Sequence, residues 1–167
     1  DTPIQIGGGI RDLKTAEKYI NSGANYIIIG TKAVEDPAFI EKLCNKFPGK
    51  IIIGIDAKNG EVATEGWKSI SKKNALSLAK EFENFGVSEI VYTDIEKDGM
   101  MKGLNIDATL NLAKNINIPV IASGGVSCIE DIIEISAHGQ SGISGIIVGR
   151  ALYEKKFNIK EAKDIFT

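Results

Sequence analysis

The sequence predicts an α/β fold built on a parallel sheet, and three observations predict it. Short runs rich in Ile and Val alternate with segments of helical period along the whole chain. Those runs are apolar at nearly every position, the pattern of parallel strands covered on both faces. One strand–helix–strand stretch also occurs twice. Pro119-Val-Ile-Ala-Ser-Gly-Gly-Val126 and Gly145-Ile-Ile-Val-Gly-Arg150 repeat the arrangement of Pro3-Ile-Gln-Ile-Gly-Gly-Gly-Ile10 and Tyr26-Ile-Ile-Ile-Gly-Thr31. Pro3 falls on Pro119, Gly8 and Gly9 on Gly124 and Gly125, and Gly30 on Gly149.

Taken in order, strands are expected near 4–7, 26–30, 50–55, 89–94, 119–123 and 145–149. Leu13, Ala16, Glu17 and Ile20 mark one face of the first helix. Asp36-Pro37 opens the next as N-cap and first-turn proline. Ala75, Leu78, Ala79, Phe82 and Phe85 keep the spacing of an amphipathic helix, and Ile106, Leu110 and Ala113 repeat it. Ser127-Cys-Ile-Glu130 reads as a capping box after the second glycine pair. Ile159, Ala162 and Ile165 suggest a closing helix. Functional turns that always follow the strand favour a (β/α)8 barrel over an open doubly wound sheet. Such a barrel has eight units and typically about 250 residues. Six units are legible in these 167 residues, read as a single partial TIM-barrel domain spanning 1–167.

Paired glycines that end a strand allow backbone N–H groups to approach a phosphate. Two copies imply two such corners, and hence a substrate with a phosphate at each end. Arg11 and Arg150 each lie beside a glycine turn, where a guanidinium could hold phosphate oxygens or form a structural ion pair. Between the corners, Ile51-Ile-Ile-Gly-Ile-Asp56 places a carboxylate directly after a strand. Asp56 is either a turn aspartate or a proton-transfer group. The segment 57–67 is long for a βα loop, and Asn59-Gly60 predicts a small hairpin within it. It carries Trp67, the single Trp, as an anchor or as a lid over a flat ring. Thr93, Asp94 and Asp98 are hydrogen-bonding candidates on the same rim, and alternation lets only one of Tyr92 and Thr93 face the interior.

Composition narrows the class. Lys+Arg 20 against Asp+Glu 22 gives a net charge of −2, so neither a nucleic acid nor an anionic membrane is expected as partner. No apolar run approaches the roughly 18 residues of a transmembrane helix, and Asp1-Thr-Pro3 lacks the pattern of a signal peptide. Cys44 and Cys128 are isolated and read as reduced thiols of a cytoplasmic protein. One histidine, His138, supports neither a histidine metal cluster nor a Ser/His/Asp triad, and no Walker-type phosphate loop is present.

Several motifs together resemble one family: Gly7-Gly-Gly-Ile-Arg11, Ile29-Gly-Thr31, Ile55-Asp56, Glu65-Gly-Trp67, Thr93-Asp-Ile95 with Asp98-Gly99, Ala122-Ser-Gly-Gly125 and Val148-Gly-Arg150. It is the phosphoribosylformimino-aminoimidazole carboxamide ribotide isomerase family of histidine biosynthesis, and the likeness runs the length of the chain. The resemblance implies a (β/α)8 barrel of two similar halves and an Amadori rearrangement, an aldose–ketose isomerisation that needs no cofactor and no metal. The substrate implied is a small bis-phosphorylated ribotide. Asp56 then matches the family's general acid and Thr93 the threonine that hydrogen-bonds the reacting ribose. Trp67 would stack on the imidazole. Gly9, Arg11, Gly30 and Thr31 would serve one phosphate, and Ser123, Gly125, Gly149 and Arg150 the other. Asp98 matches a motif position near the substrate.

The alternatives are the related cyclase subunit of imidazole glycerol phosphate synthase and a non-catalytic phosphate-binding barrel fragment. Ile28-Ile-Gly-Thr31, Gly66-Trp67 and Gly145-Ile-Ile-Val-Gly-Arg-Ala-Leu152 favour the isomerase over the cyclase. Against that pattern the chain starts at what resembles the family's third strand, so the second catalytic aspartate, the general base, is expected before residue 1. The expectation is therefore a truncated chain, inactive or weakly active alone and prone to self-association through open strand edges, from a full-length form that is monomeric.

Overall fold

The computed structural model describes residues 2–166. Six parallel strands form one sheet in the order β1 (Gln5–Gly7), β2 (Tyr26–Ile29), β3 (Ile51–Lys58), β6 (Glu89–Asp94), β7 (Val120–Ser123) and β8 (Ile143–Ile146). Two more strands, β4 (Glu61–Thr64) and β5 (Ser69–Asn74), join as an antiparallel hairpin on the end of β3. Helices α1 (Leu13–Asn21), α2 (Thr31–Glu35), α3 (Pro37–Lys46), α4 (Ala75–Glu81), α5 (Ile106–Lys114), α6 (Ile129–Ser136), α7 (Arg150–Tyr153) and α8 (Ile159–Asp164) complete the chain. Parallel strands joined by helices curl into part of a (β/α)8 barrel, six strands wide. Among the described residues no helix is long and apolar enough to cross a membrane.

Strand alternation decides which side chains meet the helices. Ile27, Ile29, Ile51, Ile53, Ile55, Ile90, Tyr92 and Val120 pack into one core with Ala16, Ile40, Leu43, Leu78, Phe82 and Leu112. Further along, Ala122 packs with Ile132, Ile135 and Ala151. The opposite strand face carries Ile52, Val91 and Ile121, with Tyr26 and Ile28 against them. Each fully buried Ile or Leu contributes about 1.5–3 kcal/mol, so the helix-facing layer supplies most of the driving force. Cys44 lies within that core, where burial pushes its thiol up to about 11. Both Cys44 and Cys128 are free thiols.

Polar side chains start the helices, Asp36 among them as the sequence indicates. Asp12 accepts from Thr15 N–H at 2.7 Å, and Asp36 accepts from Phe39 N–H at 3.1 Å with Pro37 at the first turn. Hydrogen bonds to their carboxylates hold both below the usual aspartate range. The expected box at Ser127-Glu130 sits one residue later. Cys128 is the N-cap, and Asp131 Oδ2 accepts from the N–H of Ser127 at 2.7 Å and from its hydroxyl at 2.8 Å.

Three boundaries also differ from expectation. β3 runs on to Lys58 because the hairpin continues it, with Asn59 (φ 51) and Gly60 (φ 80) as the left-handed turn pair. β5 has no alternating apolar pattern, so nothing in the sequence announced it. β8 spans Ile143–Ile146 rather than 145–149. Gly142, at φ 91, feeds the chain into register with Val120, whose N–H donates to the Gly142 carbonyl at 2.9 Å.

The internal repeat survives in the backbone angles. Gly8 and Gly124 have φ 99 and 88, and Gly9 and Gly125 have φ 69 and 95. Gly30 (φ −99, ψ −109) and Gly149 (φ −106, ψ −99) start α2 and α7 in the same way. The surroundings differ, however. A Cβ on Gly9 would meet open space, whereas one on Gly125 would lie 2.5 Å from the Gly103 carbonyl oxygen. Gly9→Ala is therefore expected to cost about 1–2 kcal/mol of stability from left-handed strain alone. Gly125→Ala adds a backbone clash and is expected to cost about 3–4 kcal/mol. Urea unfolding of the two variants measures the difference, and equal losses would refute the asymmetry.

Candidate active site

All six parallel strands end on the same edge of the sheet, and that edge gathers the polar side chains. In the strand order β1-β2-β3-β6-β7-β8, the pair β1 and β2 ends in Gly8-Gly9 and Gly30. The pair β7 and β8 runs out to Gly124-Gly125 and Gly149. Between these corners stand β3 and β6. Asp56 on β3 pairs in register with Thr93 on β6, and Thr93 with Ser123 on β7. Neighbouring strands lie about 4.8 Å apart, so the three side chains form a row across the middle of the edge.

The row faces away from the helices. Asp56 has the parity of Ile52, Thr93 that of Val91 and Ser123 that of Ile121, and those three Ile and Val side chains form the helix-free layer. Tyr92 takes the other face and packs in the helix-side core, which resolves the Tyr92–Thr93 alternative in favour of Thr93. Thr93 and Ser123 are buried at 7% and 9% exposure, and neither hydroxyl has a hydrogen-bond partner among the described residues. Every fully enclosed side-chain N or O among those residues does have one, so both hydroxyls open onto the concave face.

Trp67 reaches this row from the hairpin. Its indole N–H donates to Asp56 Oδ2 at 2.9 Å. Glu65 N–H donates to Thr31 Oγ1 at 3.1 Å, which ties the same loop to the start of α2. Glu65, Gly66 and Trp67 are all left-handed, at φ 56, 64 and 71. For Glu65 and Trp67 that geometry costs about 1–3 kcal/mol each, which the two hydrogen bonds help to offset. Trp67 remains 44% exposed, enough surface for contact with a ligand.

The remaining candidates divide. Arg11 is exposed, with no hydrogen bond or ion pair among the described residues. Arg150 is engaged: Nε donates to Glu154 Oε1 at 2.5 Å and Nη1 to the Gly99 carbonyl at 2.8 Å. It therefore clamps the loop between β6 and α5 to α7. That loop also rests on the second glycine corner, where Gly103 N–H donates to the Gly125 carbonyl at 3.1 Å. Asp98 is an exposed side chain in the same loop. Asp94 turns out to be a tie within it, with Oδ1 accepting from Glu96 N–H at 2.9 Å and Oδ2 from Asn105 Nδ2 at 2.5 Å. The Thr31–Glu65 bond escaped the sequence because it joins two different units, and the Asn105–Asp94 tie because it closes a loop of no regular periodicity.

With this geometry described, comparison with known proteins identifies the lineage. Residues 1–158 match the model of the family described as histidine biosynthesis protein. The chain belongs to the histidine biosynthesis protein family. Within this family it is 55% identical over 163 residues to a protein of Hahella chejuensis, a match covering 98% of this chain and 67% of that protein. Proteins of Alcanivorax borkumensis and Hydrogenovibrio crunogenus are 51% and 53% identical, each match covering 98% of this chain and 66% of the relative. All three are named 1-(5-phosphoribosyl)-5-((5-phosphoribosylamino)methylideneamino)imidazole-4-carboxamide isomerase. The chain spans about two thirds of the length of these relatives.

Thr31→Val removes the acceptor that holds Glu65. Amide exchange at Glu65 and Trp67 is expected to rise about two- to tenfold, the equivalent of one ordinary hydrogen bond. Hydrogen-exchange NMR measures it, and unchanged protection would show that the loop is held by other means.

Proposed function

We propose that the protein, at the length of its relatives, is the isomerase whose name they bear. It would convert the bis-phosphorylated phosphoribosylformimino aminoimidazole carboxamide ribotide into its phosphoribulosyl form by an Amadori rearrangement. Residues 1–167 would contribute part of a single barrel domain working in the cytoplasm. The reading rests above all on one observation: the Asp56–Thr93 pair lies between two glycine corners of matching backbone angles, with Ser123 beside the second. A substrate with a phosphate at each end would span such a cradle and present its reacting sugar to the row.

In this reading Asp56, as general acid, delivers a proton to the ribose ring oxygen as the bond from that oxygen to C1 breaks and a C1–nitrogen double bond forms. A base then takes the C2 proton to give an enolamine. The C2 hydroxyl becomes a carbonyl as C1 takes up a proton. C2 is oxidised as C1 is reduced, so electrons balance within the substrate and no external redox partner is required. Thr93 donates to the sugar from the adjacent strand. Gly9, Arg11, Gly30 and Thr31 are assigned to one phosphate. Ser123, Gly125, Gly149 and Arg150 take the other, with Asp98 in the loop that closes over it. Trp67 releases Asp56 when substrate arrives and stacks on the imidazole.

Asp56→Asn in the full-length protein is expected to lower kcat by about 10²–10⁴-fold while substrate affinity stays within a few-fold. Retained turnover would remove Asp56 from the mechanism. For the lid, Trp67→Phe keeps an aromatic face and is expected to preserve most of the affinity, whereas Trp67→Ala raises KM markedly. Equal KM values for both variants would refute stacking.

A further inference from the structure

The two glycine corners share a backbone conformation but not a supply of charge. At the first, Arg11 lies two residues past Gly9 and is unpaired among the described residues. The residue two past Gly125 is Ser127. Its N–H and hydroxyl both donate to Asp131 Oδ2, and the Cys128 N–H donates to the same oxygen at 3.3 Å. The start of α6 is thus taken up by its own carboxylate. Arg150 stands after Gly149, but its charge is shared with Glu154 and one of its N–H groups goes to the Gly99 carbonyl. A phosphate monoester carries about −1.5 to −2 charge at neutral pH. At the second corner it would meet no unpaired cation from the turns that follow β7 and β8.

The loop between β6 and α5 brings one. The Asp94 carbonyl accepts from the N–H of Lys97 at 3.1 Å and of Asp98 at 3.0 Å, and Asp94 Oδ1 accepts from the Glu96 N–H. These bonds wind residues 94–98 into a turn, and that turn lays Lys97 on the second corner. A Cβ on Gly125 would stand 2.8 Å from the Lys97 Cβ, so only glycine at 125 leaves room for the contact. From its Cβ a lysine ammonium reaches about 5 Å, which covers the Gly125 amide.

The Lys97 ammonium is also uncommitted. The residue is half-buried, where a lysine ordinarily finds a carboxylate, yet it enters no ion pair or ring contact among the described residues. The nearest acids in sequence do not claim it. Glu96 pairs with Lys58 at 3.3 Å, and the Asp94 carboxylate is held by the Glu96 N–H and the Asn105 amide.

We infer that Lys97 is a substrate-binding residue that supplies the free positive charge of the second phosphate corner, the part that Arg11 plays at the first. The inference rests on the reading of the glycine corners as phosphate sites. It assigns the two corners different cations: one from the turn beside its own glycines, the other carried in on a loop from the neighbouring unit.

The test follows inorganic phosphate binding to the full-length protein by NMR. Amide shifts of Gly125 and Gly149 report the second corner, and those of Gly9 and Gly30 the first. Lys97→Met is expected to weaken phosphate at the second corner about tenfold, the loss of one charge-assisted contact, with the first corner unchanged as proof of folding. Lys97→Arg should restore most of the affinity. Lys102→Met removes an exposed charge from the same loop and should leave both corners within about twofold. In turnover of the ribotide, Lys97→Met should raise KM by a similar factor while kcat stays within a few-fold. Undiminished phosphate binding at the second corner in Lys97→Met, or an equal loss in Lys102→Met, would overturn the assignment. Corner-specific loss in a protein that does not turn over the ribotide would support Lys97 and sink the isomerase reading instead.

Discussion

Side-chain alternation along three parallel strands is the constraint from which the rest follows. Burying Ile53 and Ile55 on β3, Ile90 and Tyr92 on β6, and Val120 and Ala122 on β7 against helices leaves Asp56, Thr93 and Ser123 no choice of side. A slip by one residue in any of these strands would bury a polar row and expose an apolar one. The helix-side core thus fixes which polar side chains line the far face without touching them.

The edge where that chemistry sits is built from two copies of one backbone device that serve different surroundings. At the first corner, Gly8 and Gly9 are open and need glycine only for their left-handed angles. At the second, Gly124 and Gly125 lie under the loop between β6 and α5, where a Cβ would meet the Asp94 and Gly103 carbonyl oxygens at 2.8 and 2.5 Å. Arg150 fastens the same loop through the Gly99 carbonyl. Equivalent backbone conformations therefore give an open corner and a covered one, a polarity suited to a substrate with two different halves.

The hairpin between β3 and α4 reaches across the same edge. Its loop bonds to Asp56 and Thr31, two groups assigned to substrate in the proposed reaction. In that proposed reaction substrate and loop would compete for the same partners, and the left-handed strain at Glu65 and Trp67 would favour release.

The sequence by itself determined the parallel α/β class, the six strand cores, the internal repeat, the hairpin turn at Asn59-Gly60 and the N-cap at Asp36. It also placed Asp56 and Thr93 at strand ends. All of these are written in local periodicity, turn chemistry and repeated motifs, which need only neighbouring residues to be read. Only the tertiary structure decided that Thr93 rather than Tyr92 faces the concave side, that Arg150 binds Glu154 and Gly99, and that Trp67 donates to Asp56. The shift of the capping box to Cys128 and Asp131, the strand β5 and the buried Asp94 tied to Asn105 belong to the same group. The pairings between strands and loops depend on which segments become neighbours when the sheet curls, and such contacts leave no spacing in the chain to announce them. The local ones, the Cys128 cap and the Arg150–Glu154 pair, lie within one helical turn but are one choice among several partners that the spacing allows.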